Sequence, residues 1–422
     1  MDKILLKNVD QPDSHRLDSY IKNGGYQGIK TALQLKPDSI IQIMKDSGLR
    51  GRGGAGFSTG LKWSFIPKDP TLPKYLVCNA DESEPGTFKD RLIIESDPHL
   101  LLEGIMIACY AIGAAVSYIY IRGEYEFGAQ RLELALGEAY ARGYLGRSIF
   151  GSDHSLELYL HRGAGAYICG EETALLDSIE GFRSQPRIRP PFPALAGLYQ
   201  NPTVINNVET LSCIPAILER GAEWFASIGP PKSPGPKLFA VSGHVKKPGV
   251  YELPMGLTIR DLIFKHCGGM LGDRPFKAVI PGGASAPMLT EADLDTPMDY
   301  ESLAQRGTML GSAGVVVMDA GTCMVKIAHV INRFFSHESC GKCTPCRDGT
   351  PWMTQILQRL ESGEGRTGDI ELLESLCTGI FGRCFCALGD SAALALRGAL
   401  NSFREEFEYH IDHGKCMVPD IK

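Results

Sequence analysis

The chain has 422 residues, 44% of them hydrophobic and 22% charged, with a net charge of −6 at pH 7. Such a length allows roughly two to four domains with ample core, and such proportions are ordinary for a globular protein. The negative balance argues against nucleic acid as a main partner. Glycine stands out, because 48 of 422 residues is about 11% against an average near 7%. The excess gathers in loops, which points to ligands that touch backbone. Met1-Asp-Lys opens no signal peptide, so a cytoplasmic location is expected. There, 13 cysteines read as metal ligands or buried thiols rather than disulfides.

Residues 1–60 read as short helices, one of them at 40–44 and ended by Gly48. They lead into Arg50-Gly-Arg-Gly-Gly-Ala-Gly-Phe-Ser-Thr-Gly-Leu-Lys62, where Gly51, Gly53, Gly54, Gly56 and Gly60 lie between cations. Bare N–H groups beside Arg50, Arg52 and Lys62 form a nest suited to phosphate. The spelling Gly51-x-Gly53-x-x-Gly56 matches a dinucleotide fingerprint, yet it follows a helix rather than a strand. A flexible surface loop is the plainer alternative.

Strands are expected at 75–79, 116–121 and 156–160, with helical segments between them, which implies a largely parallel α/β sheet. The apolar run 100–121 carries one acid, Glu103, and could be mistaken for a membrane span. Asp97-Pro98 can start a helix and Gly113 can end it, so a buried helix followed by a strand is the better reading. Polar or glycine-rich loops follow the first and third strands, at 79–90 and 162–173. In open α/β sheets, ligands sit outside the carboxyl ends of strands. Asn206-Asn207 precedes a helical run with Glu209 and Thr210.

Pro230, Pro231, Pro234 and Pro236 read as a linker. Strands at 238–242, 250–253, 278–280 and 315–318 and a helix at 259–267 then make a small α+β unit. From Cys323 onward the chain reads as a helical bundle, with stops at Gly349, Gly363, Gly368 and Gly389. Cys340-x-x-Cys343-x-x-Cys346 has the spacing of one corner of a 4Fe–4S cluster. Position 350 is Thr rather than a fourth cysteine, so that ligand comes from afar, and Cys384-Phe-Cys386 offers two candidates. A zinc site is the rival reading of these thiols. The remaining cysteines, Cys323 and Cys416 among them, read as core thiols.

Taken together, GRGGAGFSTGLKW, CNADESEPGTFKD, GAGAYICGEETAL, PTVINNVET, SCGKCTPC and CALGD resemble the NADH-binding flavoprotein subunit of respiratory complex I, over nearly the whole chain. The resemblance implies a multidomain α/β protein. An N-terminal helical region (1–60) precedes a Rossmann-like FMN- and NADH-binding domain (61–229). A ubiquitin-like β-grasp α+β domain (230–321) and a C-terminal helical bundle with a 4Fe–4S cluster (322–422) follow. It implies that NADH gives hydride to FMN, from which electrons pass singly to the cluster and onward.

By the same resemblance, Gly51, Gly53, Gly54, Gly56, Lys62, Asn79, Asp81, Glu82 and Ser83 hold the FMN. Tyr167, Gly170, Glu171, Glu172, Ile205, Asn206, Asn207 and Thr210 complete that pocket. Phe57, Phe65 and Phe192 form an aromatic platform for NADH, with Glu84 and Arg189 as polar contacts. Arg189 stands where some relatives have lysine, which keeps the charge and alters its geometry. Glu84 and Glu172 are expected at the catalytic centre, and Cys340, Cys343, Cys346 and Cys386 at the cluster. Acids in the two ligand loops favour NADH over NADPH, because they repel a 2′-phosphate. Implied partners are a thioredoxin-like 2Fe–2S subunit and the large iron–sulfur subunit of the peripheral arm, at the inner face of the membrane and without insertion. The nearest rival is the diaphorase subunit of an NAD-linked hydrogenase or formate dehydrogenase. A flavin-free electron-relay protein is the other.

Overall fold

The computed structural model describes residues 2–418. Met1, used above in reading the start of the chain, lies outside them, as do the last residues of the 322–422 segment. Packing divides the chain into two units. One is Met1–Ser83 with Phe88–Leu238 and Glu252–Gly256; the other is Glu84–Thr87 with Phe239–Tyr251 and Leu257–Lys422.

In the first unit, α1 (Leu17–Lys22), α2 (Gln27–Ala32), α3 (Pro37–Asp46) and α4 (Thr59–Ser64) precede β1 (Tyr75–Ala80). Then come α5 (Lys89–Ser96), α6 (Pro98–Ile112), β2 (Val116–Ile121), α7 (Glu126–Ala141), β3 (Glu157–Arg162) and α8 (Glu172–Ile179). β4 (Thr203–Asn207), α9 (Val208–Arg220) and α10 (Ala222–Ala226) close it. The four strands run parallel in the order β3-β2-β1-β4, which is the expected Rossmann-like sheet. β2 and β3 build outward on one side of β1, and β4 lies on the other. The strand order therefore reverses between β1 and β4, where an open parallel sheet leaves a crevice beyond its carboxyl ends. β4 was not expected from the sequence. It is five residues long, and it sets Asn207 level with Asn79 of β1.

The apolar run is a helix and a strand, as expected. α6 is buried along almost its whole length, and Gly113 ends it with φ 73°. Its acid, Glu103, accepts hydrogen bonds from Tyr20 Oη (2.5 Å), the Tyr26 N–H (2.8 Å) and the Ile29 N–H (3.0 Å). A buried carboxylate is tolerated when it is satisfied in this way. Gly104 lets α6 and α9 close together, since a Cβ there would lie 2.0 Å from the Leu211 carbonyl oxygen. Among the described residues, no helix is long and apolar enough to cross a membrane. The proline stretch is not a free linker. Ser233, Pro234 and Lys237 are buried, and the Arg52 guanidinium donates to the Pro234 carbonyl at 2.8 Å.

A five-stranded sheet, most of it in the second unit, is made of β5 (Pro236–Gly243), β6 (Gly249–Pro254), β7 (Phe276–Ile280), β8 (Leu289–Thr290) and β9 (Gly314–Asp319). Its order is β6-β5-β9-β7-β8, with β5 and β9 parallel and β7 antiparallel to both its neighbours. First and last strands paired at the centre are the pattern expected of a β-grasp unit. The helix expected at 259–267 is a wide π-type turn over Asp261–His266, and α11 (Tyr300–Gln305) follows it. Four helices complete the unit: α12 (Met324–Glu338), α13 (Thr344–Glu361), α14 (Asp369–Ile380) and α15 (Ala387–His413). Gly349 and Gly389 are not stops. They lie inside α13 and α15, where a Cβ would meet Ile380 Cδ1 and Cys384 Sγ, each at 2.7 Å. Six of the cysteines read as core thiols are buried, but Cys323 and Cys416 are only half-buried.

Candidate functional site

The glycine loop is tied at its neck. Arg50 and Ser58 pair as a β-bridge, the Gly51 N–H donates to the Phe57 carbonyl at 2.8 Å, and Ser58 Oγ caps α4. The residues between are thereby presented as a closed loop. A Cβ at Gly53 would lie 3.0 Å from Asn207 Cβ, which places the loop beside the end of β4. Two of the flanking cations do not serve it. Arg52 is fully buried, and Arg50 Nε donates to the Gly56 carbonyl at 2.6 Å. Lys62 remains. Its Nζ donates to Glu172 Oε2 (2.8 Å) and the Ile205 carbonyl (2.9 Å), and an ammonium has a third N–H to offer.

The amides at the strand ends are fixed by their neighbours. Asn79 Nδ2 donates to the Gly170 carbonyl at 2.9 Å, and its Oδ1 accepts the Asp81 N–H. Trp63 Nε1 donates to Asn206 Oδ1 at 2.9 Å. Asn207 Oδ1 accepts the Glu209 N–H at the start of α9. Thr210 Oγ1 accepts the Arg52 N–H at 2.8 Å. Beneath them, Val77, Tyr120, Cys169, Leu175, Leu176 and Ile205 form one packed cluster. Tyr167 and Gly170 belong to a single helical turn just before α8.

Charges at the mouth are linked in a row. Arg189 bridges Glu171 Oε1 and Glu172 Oε1, each at 2.9 Å, and Glu172 continues to Lys62. Glu171 Oε2 also caps α8 by accepting the Thr173 and Ala174 N–H groups. Phe57, Phe65 and Phe192 are each about half exposed or more, and the first two rings lie 6.2 Å apart.

Two expected contacts are engaged elsewhere. Glu82 is buried, and its carboxylate accepts the N–H groups of Lys89, Asp90 and Arg91, capping α5. Burial, with the Asp90 charge second, pushes its pKa up to about 7. Its side chain is therefore a support of the loop rather than a free ligand. Glu84 packs in the second unit, where its Oε1 accepts the Ser285 N–H at 2.7 Å.

Behind the amides lies a buried charge lattice that sequence reasoning missed. Lys89 Nζ reaches Asp90 Oδ1 and Glu209 Oε2, each at 2.8 Å, and Lys237 Nζ reaches the same Glu209 oxygen at 2.5 Å. Burial works against the Lys89 charge, but Asp90 and Glu209 outweigh it and raise its pKa. Burial wins at Lys237 and pulls it down to about 7. The only hint in the sequence was Lys89-Asp90 at the end of the first ligand loop.

The residues fit a flavin phosphate and its ring. Backbone N–H groups, a cation with a spare donor and three oriented amides gather at the carboxyl ends of β1 and β4. Ser83 Oγ nearby is a buried hydroxyl that no protein atom satisfies. In the second unit, Cys343 and Cys386 are the residues just before α13 and α15, so two helix N-termini meet the cysteine loop. The Phe385 N–H donates to Cys343 Sγ at 3.3 Å, joining stretches 42 residues apart. The two stretches that carry the expected iron ligands are thereby brought together. Cys384 differs from its neighbour, since its thiol points to the Ile380 carbonyl at 3.8 Å.

Comparison with known proteins gives three family matches: the Nuo51 FMN-binding domain over residues 44–216, an SLBB domain over 237–317, and the NADH-ubiquinone oxidoreductase-F iron–sulfur binding region over 326–410. An F subunit of the NADH-quinone oxidoreductase of Rhizobium meliloti is 60% identical, and the alignment covers 98% of both chains. The chain belongs to the family of NADH-quinone oxidoreductase F subunits. The F subunits of Streptomyces coelicolor (52%, covering 99% of this chain and 93% of that one) and Escherichia coli (51%, covering 93% and 89%) are similar over nearly their full lengths. Among solved structures, an NAD+-reducing [NiFe]-hydrogenase in the air-oxidized state superposes with a TM-score of 0.83 at 37% identity. That match covers 97% of this chain and 67% of the other. As a member of the F-subunit group, the chain carries an FMN-binding domain and a 4Fe–4S region, with NADH as substrate.

Proposed function

We propose that this chain is the NADH-oxidising module of an NADH-quinone oxidoreductase, built from the four segments 1–60, 61–229, 230–321 and 322–422. The observation that carries this reading is the meeting of the glycine loop, Asn79, Asn206 and Asn207 at the β1/β4 reversal. FMN, when bound, supplies acceptance of two electrons as hydride and their release one at a time.

The chain's own residues position and exclude. Gly51, Gly53, Gly54 and Gly56 offer backbone N–H groups to phosphate, and Lys62 turns its third N–H toward it. Asn79, Asp81, Ser83, Tyr167, Gly170, Ile205, Asn206, Asn207 and Thr210 shape the pocket around the ring. Phe57, Phe65 and Phe192 offer exposed faces for a purine to stack on. Glu171, Glu172 and Arg189 set the charge at the mouth, where a 2′-phosphate meets carboxylates. Cys340, Cys343, Cys346 and Cys386 hold the cluster. No side chain is needed as nucleophile.

The relatives' name includes quinone, and quinone reduction belongs to the assembly rather than to this chain. The partners fitting this role are a thioredoxin-like 2Fe–2S subunit and a large iron–sulfur subunit, at the inner membrane face. The test is NADH oxidation by the flavin-loaded chain with ferricyanide and with quinone. Ferricyanide should be reduced by the chain alone, and quinone only after partners are restored. Efficient quinone reduction by the lone chain would overturn the reading. The hydrogenase likeness favours a second reading, in which the host complex couples NAD to hydrogen. Hydrogen-dependent NAD+ reduction by the natively purified complex would select it.

A further inference from the structure

We propose that Cys323, His410 and Cys416 form a Cys2His zinc site that fastens the end of α15 to the start of α12. The three ligand atoms lie within 4.8 Å of one another. Cys323 Sγ and His410 Nε2 are 3.4 Å apart. Zn–S near 2.3 Å and Zn–N near 2.0–2.1 Å on neighbouring vertices of a tetrahedron give about 3.5 Å. That pair needs little adjustment, and Cys416 Sγ lies within reach of both.

Each ligand is also prepared by what surrounds it. The His410 ring is 1% exposed, and its Nδ1 lies 3.1 Å from the Leu360 carbonyl oxygen. A carbonyl only accepts, so Nδ1 carries the proton and Nε2 turns a lone pair to the two sulfurs. That outer hydrogen bond is the usual support of a ligating imidazole. Cys323 is the residue before the 15-residue α12, so it stands at a fixed helix start. Cys416 Sγ accepts the Val418 N–H at 3.3 Å, which holds the sulfur in place.

Gly414, in a left-handed conformation (φ 59°), ends α15 and turns the chain back. Cys416 thus returns to the last turn of the helix that carries His410. Binding releases one proton from each thiol, and Zn²⁺ with two thiolates and a neutral imidazole carries no net charge. Water fills the fourth vertex. Sulfur and imidazole in tetrahedral array select zinc over harder divalent ions.

The test is metal analysis of the full cluster-loaded chain, purified without air from zinc-containing medium, beside Cys323→Ala and Cys416→Ala. The parent should hold about one zinc per chain, and each variant at least about tenfold less, with iron and flavin unchanged. Cobalt in place of zinc should give a thiolate charge-transfer band in the parent and none in Cys416→Ala. If Cys323→Ala loses iron as well, Cys416→Ala, which lies beyond the last helix, decides alone. A parent without zinc, zinc retained in Cys416→Ala, or a Cys323–Cys416 disulfide found by mass spectrometry would each overturn the proposal.

Discussion

Asn207 donates from Nδ2 to Asp90 Oδ2 at 2.6 Å, and this single bond decides which way its amide faces. With Nδ2 held there, Oδ1 is left to cap α9, and the side chain's Cβ becomes the surface on which Gly53 rests. The glycine loop and the strand end are therefore one contact.

Gly53→Ala should disturb that contact without unfolding the chain. The new methyl would meet Asn207 Cβ at 3.0 Å and Cγ at 3.3 Å, so the loop must move by a few tenths of an ångström. FMN affinity should fall by about tenfold, or about 1.4 kcal/mol. Flavin content after dialysis, with the far-UV spectrum as control, measures it. Full flavin retention would show that the loop does not hold the phosphate.

The two lysines that share Glu209 should not be equivalent. Lys89→Met leaves Asp90 without its cation and should cost about 3–5 kcal/mol, the range for breaking a buried pair. Lys237 is already drawn toward neutrality, and Glu209 keeps Lys89 when Lys237 becomes Met. That variant should cost less than about 2 kcal/mol. Unfolding midpoints of the flavin-loaded variants compare them, and equal losses would refute the asymmetry.

At the cluster, Cys386→Ala should lose most of its iron and Cys384→Ala should keep it. Cys386 sits at a helix N-terminus, and the Cys384 thiol is directed at a backbone carbonyl. Iron and sulfide analysis gives the answer. Iron that survives loss of Cys386 but not of Cys384 would exchange their roles.

Asp97 makes a prediction about pH. It is buried, Oδ2 accepts from Asn8 at 2.8 Å, and Oδ1 has no partner. Burial pushes its pKa up to about 7. The folded state thus binds the proton more tightly than the unfolded chain, whose aspartate titrates near 3.9. The resulting stabilisation is complete below about pH 4 and is lost as pH rises through about 7. Between pH 5 and pH 8 the wild-type's advantage over Asp97→Asn should shrink, by at most about 2–3 kcal/mol. Thermal midpoints across that range test it, and a constant difference would contradict the shift.

What the sequence showed was local. The glycine loop, three of the four parallel strands, the buried α6 and the Cys340–Cys346 spacing all declare themselves within a few residues. Most of what it hid depends on partners far along the chain. Arg52 looked like a phosphate ligand because it flanks glycines, yet its guanidinium meets Pro234. Glu82 looked like a pocket acid and caps α5. Gly349 and Gly389 looked like helix stops, but a neighbouring side chain occupies the space a Cβ would need. β4 escaped because five residues before a helix carry little periodicity of their own.

The Glu252 carboxylate accepts the N–H groups of Ile4, Leu5 and Leu6 at 2.7–3.1 Å, across 246–248 residues of chain. During synthesis these three amides emerge early, but their acceptor does not yet exist. At about 5–20 residues per second, the ribosome needs on the order of tens of seconds to reach it. Through that interval the segment has only water to bond, and the first unit cannot be complete until Glu252–Gly256 has been made. One of the earliest stretches of this chain to be translated is thus among the last to be fastened, and the first unit is finished only once the end of strand β6 has been made.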